Sequence, residues 1–139
     1  MSGLARTLAV TLTGLTGHIV EVEAHCAPGL PASAVRESRE RVRAALSTCG
    51  VTWGERRLTV NLSPADLPKT GTGFDVSMAL AVLAARGELP RRALASLAGT
   101  VFIGELGLDA SVRPVRGVLP AVHAAARAGV ERVVVPADA

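Results

Sequence analysis

Polar and apolar residues alternate at period two over residues 5–12 and 18–26, with Thr13-Gly14-Leu15-Thr16-Gly17 between them. Such alternation marks strands with one buried face, so the chain is expected to open on a β-hairpin. Pro28-Gly29-Leu30-Pro31 breaks the pattern, and Ser33 stands where a helix N-cap belongs. From Ala34 to Cys49 the period becomes helical, with Val35, Val42, Ala45, Leu46 and Cys49 sharing an arc of about 100°. Gly50 is placed to end that helix.

Arg56 to Leu62 has the composition of a short strand. After a Gly/Pro loop, Asp75 is positioned to cap a helix running to Arg86, closed by Gly87. Its apolar residues go all the way round, which predicts a central, buried helix. Pro90 to Leu97 reads as a short surface helix and Val101 to Leu106 as a strand. Asp109-Ala110 is expected to turn the chain into Ser111 to Val115, making a second hairpin. Pro120 to Arg127 reads as a helix ended by Gly129, and Glu131 to Val135 as a last strand, apolar over its three valines. This order predicts an α/β (α+β) fold, a mixed sheet with two to four helices packed on it.

The 139 residues suit one domain over residues 1–139, with a real core. Apolar residues at 49% and charged ones at 19% exclude a disordered chain. No run approaches the ~20 apolar residues of a membrane span. The N-terminus lacks the basic and apolar regions of a signal peptide, so a cytoplasmic protein without membrane partners is expected. Cys26 and Cys49 form no metal pattern and are expected to be free and buried. The net charge is +3, carried almost wholly by arginine, since Lys69 is the sole lysine. Arginine suits bidentate contact with phosphate or carboxylate. With aromatics limited to Trp53, Phe74 and Phe102, base-stacking platforms are not expected.

The chemistry should concentrate where Asn61-Leu-Ser-Pro-Ala-Asp-Leu-Pro-Lys-Thr-Gly-Thr-Gly-Phe-Asp75 leads into the apolar helix. A nucleotide-binding P-loop needs glycine directly before its lysine and another five residues earlier; this chain has Pro68 and Ser63-Pro64. A Ser–Lys pair would need Ser63, Thr70, Thr72 or Ser77 beside a desolvated Lys69, whereas a Gly/Pro loop predicts a solvated lysine that contacts phosphate or merely water. Asp66, Asp75 and Glu105 show no metal-ligand spacing, and Asp75 and Asp66 read as a cap and a turn residue. His18, His25 and His123 have no visible partner. Arg36, Arg39 and Arg43 share a flank of the first helix, either a solvated face laced by Arg36–Glu40 and Glu37–Arg41 pairs or a phosphate-facing stripe.

Four stretches carry a resemblance. They are Ala34 to Ala45; Thr59 to Gly71 with Phe74-Asp75; Gly104-Glu-Leu-Gly-Leu with Val112-Arg-Pro-Val-Arg-Gly; and Ala125-Ala-Arg-Ala-Gly with Val133-Val-Val-Pro. Together they resemble the N-terminal domain of the magnesium-chelatase-like AAA+ ATPases of the ComM/YifB family. That domain is similar in fold to the Lon proteolytic domain and to ribosomal protein S5 domain 2. Pro68-Lys-Thr-Gly-Thr-Gly-Phe-Asp75 is in register with the Lon motif Pro-Lys-Asp-Gly-Pro-Ser-Ala-Gly, which puts Gly73 at the catalytic serine. The lysine position falls near Leu119, so the resemblance implies that both members of the dyad are missing. Family members usually carry a further short strand after Gly-Leu-Pro; here Gly29-Leu30-Pro31 runs straight into Ala32-Ser33, as if about eight residues were lost.

The resemblance implies a non-catalytic accessory domain of a longer, hexameric ATPase that acts on branched DNA during recombination of incoming DNA. ATP and magnesium are then expected only in an AAA+ module beyond this domain, which would itself be a partner. Arg36, Arg39, Arg43, Lys69, Arg113 and Arg116 are the candidate DNA contacts. Two alternatives stay open: a Ser–Lys peptidase with a displaced dyad, and a stand-alone RNA-binding domain of the S5 kind. The stop just after the last strand fits an N-terminal piece of a longer protein.

Overall fold

Thr13 and Thr16 close the opening hairpin around Gly14-Leu15, a tighter turn than the five residues the sequence pattern sets aside. Gly14 has φ 63° while Leu15 stays at negative φ, the signature of a type II′ turn with glycine first. The computed structural model describes residues 3–28, 37–52, 56–64, 66–67, 69 and 73–138, with main chain alone at Pro28, residues 37–39 and Arg56. The elements in chain order are β1 (Gly3–Thr13), β2 (Thr16–Pro28), α1 (Glu37–Thr48), β3 (Arg56–Ser63), α2 (Asp75–Ala85) and α3 (Arg91–Leu97). There follow β4 (Thr100–Phe102), β5 (Glu105–Leu106), β6 (Val112–Arg113), α4 (Val118–Arg127) and β7 (Arg132–Val134).

Five strands form one mixed sheet in the order β3-β2-β1-β4-β7, and β5-β6 form a second, two-stranded sheet. β2 is antiparallel to both β1 and β3, whereas β1–β4 and β4–β7 are parallel. The mixed α/β architecture read from the sequence is the one observed, with four helices. The stretch 29–36, with Ser33 and the shortened loop, lies outside the described residues, as does Trp53.

The sheet buries both faces unequally. Ala9 of β1, Val20, Val22 and Ala24 of β2 and Val60 of β3 face α1 and α2, where Val42, Leu46, Met78, Ala81 and Val82 complete the larger core. On the other face Leu8, Val10 and Ile19 meet Ala121 and Ala125 of α4 in a smaller core with Val101 and Ile103. Arg6, Glu21 and His25 are on this second face but stay exposed, because α4 covers only the turn end of the hairpin. α1, α2 and α4 each end in a Schellman pair at the glycine the sequence marks, with Val51, Glu88 and Val130 donating back to Leu46, Leu83 and Ala125.

Three expectations are corrected, and the place of the last strand is added. Val101–Leu106 is not one strand: at Ile103-Gly104 the chain leaves the large sheet and enters the small one. A Cβ at Gly104 would lie 2.9 Å from Val112 Cγ1 and 3.0 Å from Val76 Cγ2, so the crossing is closely packed. The last strand is an edge, with Val134 46% exposed and Val135 38% exposed despite their apolar character. Cys26 is buried as expected, but Cys49, in the C-cap position of α1, is exposed. Asp75 is no N-cap: it is the first residue of α2, Phe74 holds the cap position, and the Asp75 side chain turns inward.

Candidate functional site

The loop into α2 and the second hairpin meet at the turn end of β1. Gly73 accepts a hydrogen bond on its carbonyl from the Gly104 N–H (3.3 Å), and the Gly104 carbonyl accepts one from the Val76 N–H (3.3 Å). The strand that leaves the large sheet is thereby tied to the first turn of α2. Asp75 reinforces the joint, accepting the Leu106 N–H at 3.0 Å and pairing bidentately with Arg41 of α1. Arg41, expected on a solvated flank, thus reaches inward.

Between these parts lies a groove with a cavity of about 460 Å³. Val10, Thr11 and Leu12 of β1 line it, with Gly73-Phe74 and Glu105 from the α2 side and Pro114 to Gly117 from the approach to α4. Gly117 allows that approach: it has φ +80°, and a Cβ there would overlap the Leu12 side chain. Gly73 contrasts with it, since a Cβ built there meets nothing within 4 Å.

The sequence-predicted residues distribute unevenly around this groove. Gly73 and Arg116 line it, and Arg116 is exposed; Leu119, 80% exposed, does not line it. Arg113 lies on β6 beside the Asp109 turn, where it adds to the hydrogen bonds from Ser111 that hold the Asp109 carboxyl below its ordinary range. Arg43 is exposed on α1. Arg36 and the Arg39 side chain lie outside the described residues. Lys69 is half-buried, against the expectation of a solvated loop. Ser77 is wholly buried: Thr7 donates to its carbonyl at 2.7 Å, and its own hydroxyl donates to the Leu8 carbonyl at 3.0 Å. Such a hydroxyl is a structural pin and no nucleophile. Ser63 is half-buried on β3, while Thr70 and Thr72 lie outside the described residues.

Among the described residues no three His, Cys, Asp or Glu side chains sit together as metal ligands. No helix among them is long and apolar enough to cross a membrane. Glu105, grouped in the sequence with the carboxylates around this loop, does line the groove, whereas the groove-lining role of Pro114 carried no sequence signal of its own.

The comparison with known families is direct. A family described as subunit ChlI of Mg-chelatase matches residues 20–139. The chain belongs to that family. Within the ChlI family, it is 50% identical to an uncharacterized protein of Mycobacterium tuberculosis over 143 positions, covering 97% of this chain and 28% of that protein. Those positions outnumber the 139 residues here, so the relative carries residues that this chain lacks. It is 36% identical to competence protein ComM of Haemophilus influenzae, covering 91% of this chain and 26% of that protein, and proteins named YifB also match. Lon protease 2 of Bacillus subtilis is 29% identical over 75% of the chain and 18% of the protease, consistent with a Lon-like fold. The chain spans little more than a quarter of the length of the first two relatives.

Proposed function

We propose that this chain serves as the N-terminal accessory domain of a magnesium-chelatase-like AAA+ ATPase that acts on DNA in recombination or natural transformation. It supplies DNA contacts, oligomer packing or both, and no catalysis of its own. The observation that carries the non-catalytic part is the groove beside β1. Gly73, in register with the Lon serine, offers no nucleophile there, and among the described residues neither a lysine nor a buried hydroxyl free to react lines the cavity. ATP and magnesium belong to a nucleotide-binding module elsewhere in such a protein, and a hexamer would bring several copies of this domain together. The ComM name and the exposed Arg43, Arg113 and Arg116 support the DNA part.

The test is fluorescence anisotropy with labelled duplex and branched DNA over a salt series. Phosphate contact predicts binding that falls steeply with salt, and reversing Arg43, Arg113 or Arg116 to glutamate should lower the salt slope by about one per lost contact, whatever the DNA sequence. Salt-insensitive or absent binding would leave oligomer packing as the whole role. Hydrolysis of casein by the chain, abolished in Lys69→Ala, would revive the peptidase reading.

A further inference from the structure

Among the described residues, the main-chain ladder on the groove side of β1 is unfinished. The two-residue turn makes Thr13↔Thr16 a hydrogen-bonded pair, so along β1 residues 13, 11 and 9 direct their main-chain groups to β2. Leu12, Val10 and Leu8 direct theirs to the opposite edge, toward β4. Leu8↔Val101 is where β4 pairs with that edge. Were the parallel ladder to continue, the Gly104 N–H would donate to the Val10 carbonyl and the Gly104 carbonyl would accept the Leu12 N–H. Both Gly104 groups are engaged elsewhere, with the Gly73 carbonyl and the Val76 N–H. The Val10 carbonyl and Leu12 N–H therefore face the groove that these same two residues line.

We infer that this groove binds an extended peptide by strand addition to β1 and holds it without cutting it. One peptide residue takes the place of Gly104, donating its N–H to the Val10 carbonyl and accepting the Leu12 N–H. Main-chain pairing of this kind supplies affinity, and side-chain pockets supply selectivity. Phe74, Ile103, Val115 and Ala121 line the cavity and suit an apolar side chain. Among the described residues, Glu105 and Arg116 are its charged lining, of opposite sign, and not the uniform positive field that suits a nucleic acid backbone. Among the described residues nothing lies within 4 Å of a Cβ built at Gly73, which leaves the peptide room.

The experiment selects binders for the chain from a phage-displayed library of random dodecapeptides and follows the synthetic winner by ¹⁵N NMR. The Leu12 amide and the Thr11 amide, which shares its peptide unit with the Val10 carbonyl, should shift, and methylating the N–H of a single peptide residue should weaken binding by about tenfold. Gly73→Trp should block the groove while keeping the melting transition, and because N-methylation alters only the peptide, that arm stands even where the variant misfolds. Mass spectrometry should recover the peptide intact. The inference is overturned when no binder emerges, when the Thr11 and Leu12 amides stay unmoved, when N-methylation costs nothing at every position, when a folded Gly73→Trp binds as well as the parent, or when the peptide is cleaved.

Discussion

Arg41 and Asp75 meet side-on across the interface of α1 and α2, with Nε 2.9 Å from Oδ2 and an Nη nitrogen 3.1 Å from Oδ1. The Asp75 side chain is 0% exposed and that of Arg41 18% exposed. Removing one partner leaves a buried charge uncompensated. Asp75→Ala and Arg41→Ala should each destabilise the fold by about 3–5 kcal/mol in urea unfolding. Asp75→Leu with Arg41→Met should recover only part of that loss, since an apolar pair carries no charge to desolvate but leaves the buried Leu106 N–H without its acceptor.

Thr7 and Ser77 pin β1 to α2 through buried hydroxyls 2.7 Å apart. Ser77→Ala should cost about 1–3 kcal/mol by leaving buried acceptors without a donor. The same denaturation curves measure it, with the urea slope unchanged.

Two glycines should respond oppositely to alanine. Gly73→Ala, in open space and outside the left-handed region, should be neutral or add about 0.4–1 kcal/mol by restricting the unfolded chain. Gly117→Ala meets both positive φ and the Leu12 side chain, and should lower the melting temperature.

The Asp109 carboxyl accepts the Ser111 hydroxyl at 2.7 Å and the Ser111 N–H at 3.1 Å, and these bonds, with a smaller contribution from Arg113, hold its pKa down. A depressed folded value means the stabilisation is complete above the unfolded pKa of about 3.9 and fades as pH falls through the lower folded value. NMR titration of the carboxyl carbon should show this, and Ser111→Ala should move the midpoint upward.

Thiol chemistry should separate the two cysteines. Cys49 is exposed and Cys26 buried, so an aromatic disulfide reagent should label Cys49 readily in the native protein and Cys26 only after unfolding.

Much of this fold was legible because periodicity and glycine punctuation agree locally. The hairpin, the apolar α2 and the three glycine-ended helices follow from residue order alone. Asp75 misled because an acidic residue before an apolar helix is the ordinary mark of a cap, and only the arrival of Arg41 from 34 positions away makes it a buried ion pair. The break at Gly104 was hidden for a similar reason. Val101 to Leu106 is continuously strand-like, and the competing bond to the Gly73 carbonyl belongs to another part of the chain. Gly73 could be matched to the Lon serine from sequence, but that it borders a cavity follows only from the fold.

The unequal cover of the sheet gives the first hairpin a gradient of stability. Near Ala9 and Val20 it is sandwiched between helices on both sides, whereas toward Arg6 and Glu23 one face is wet. Amide exchange should be slowest at the turn end and quicken toward Gly3 and Cys26, as local openings enter from the side with fewer buried contacts. The groove thus sits at the stiff end of β1, where an incoming strand would find its template already in place.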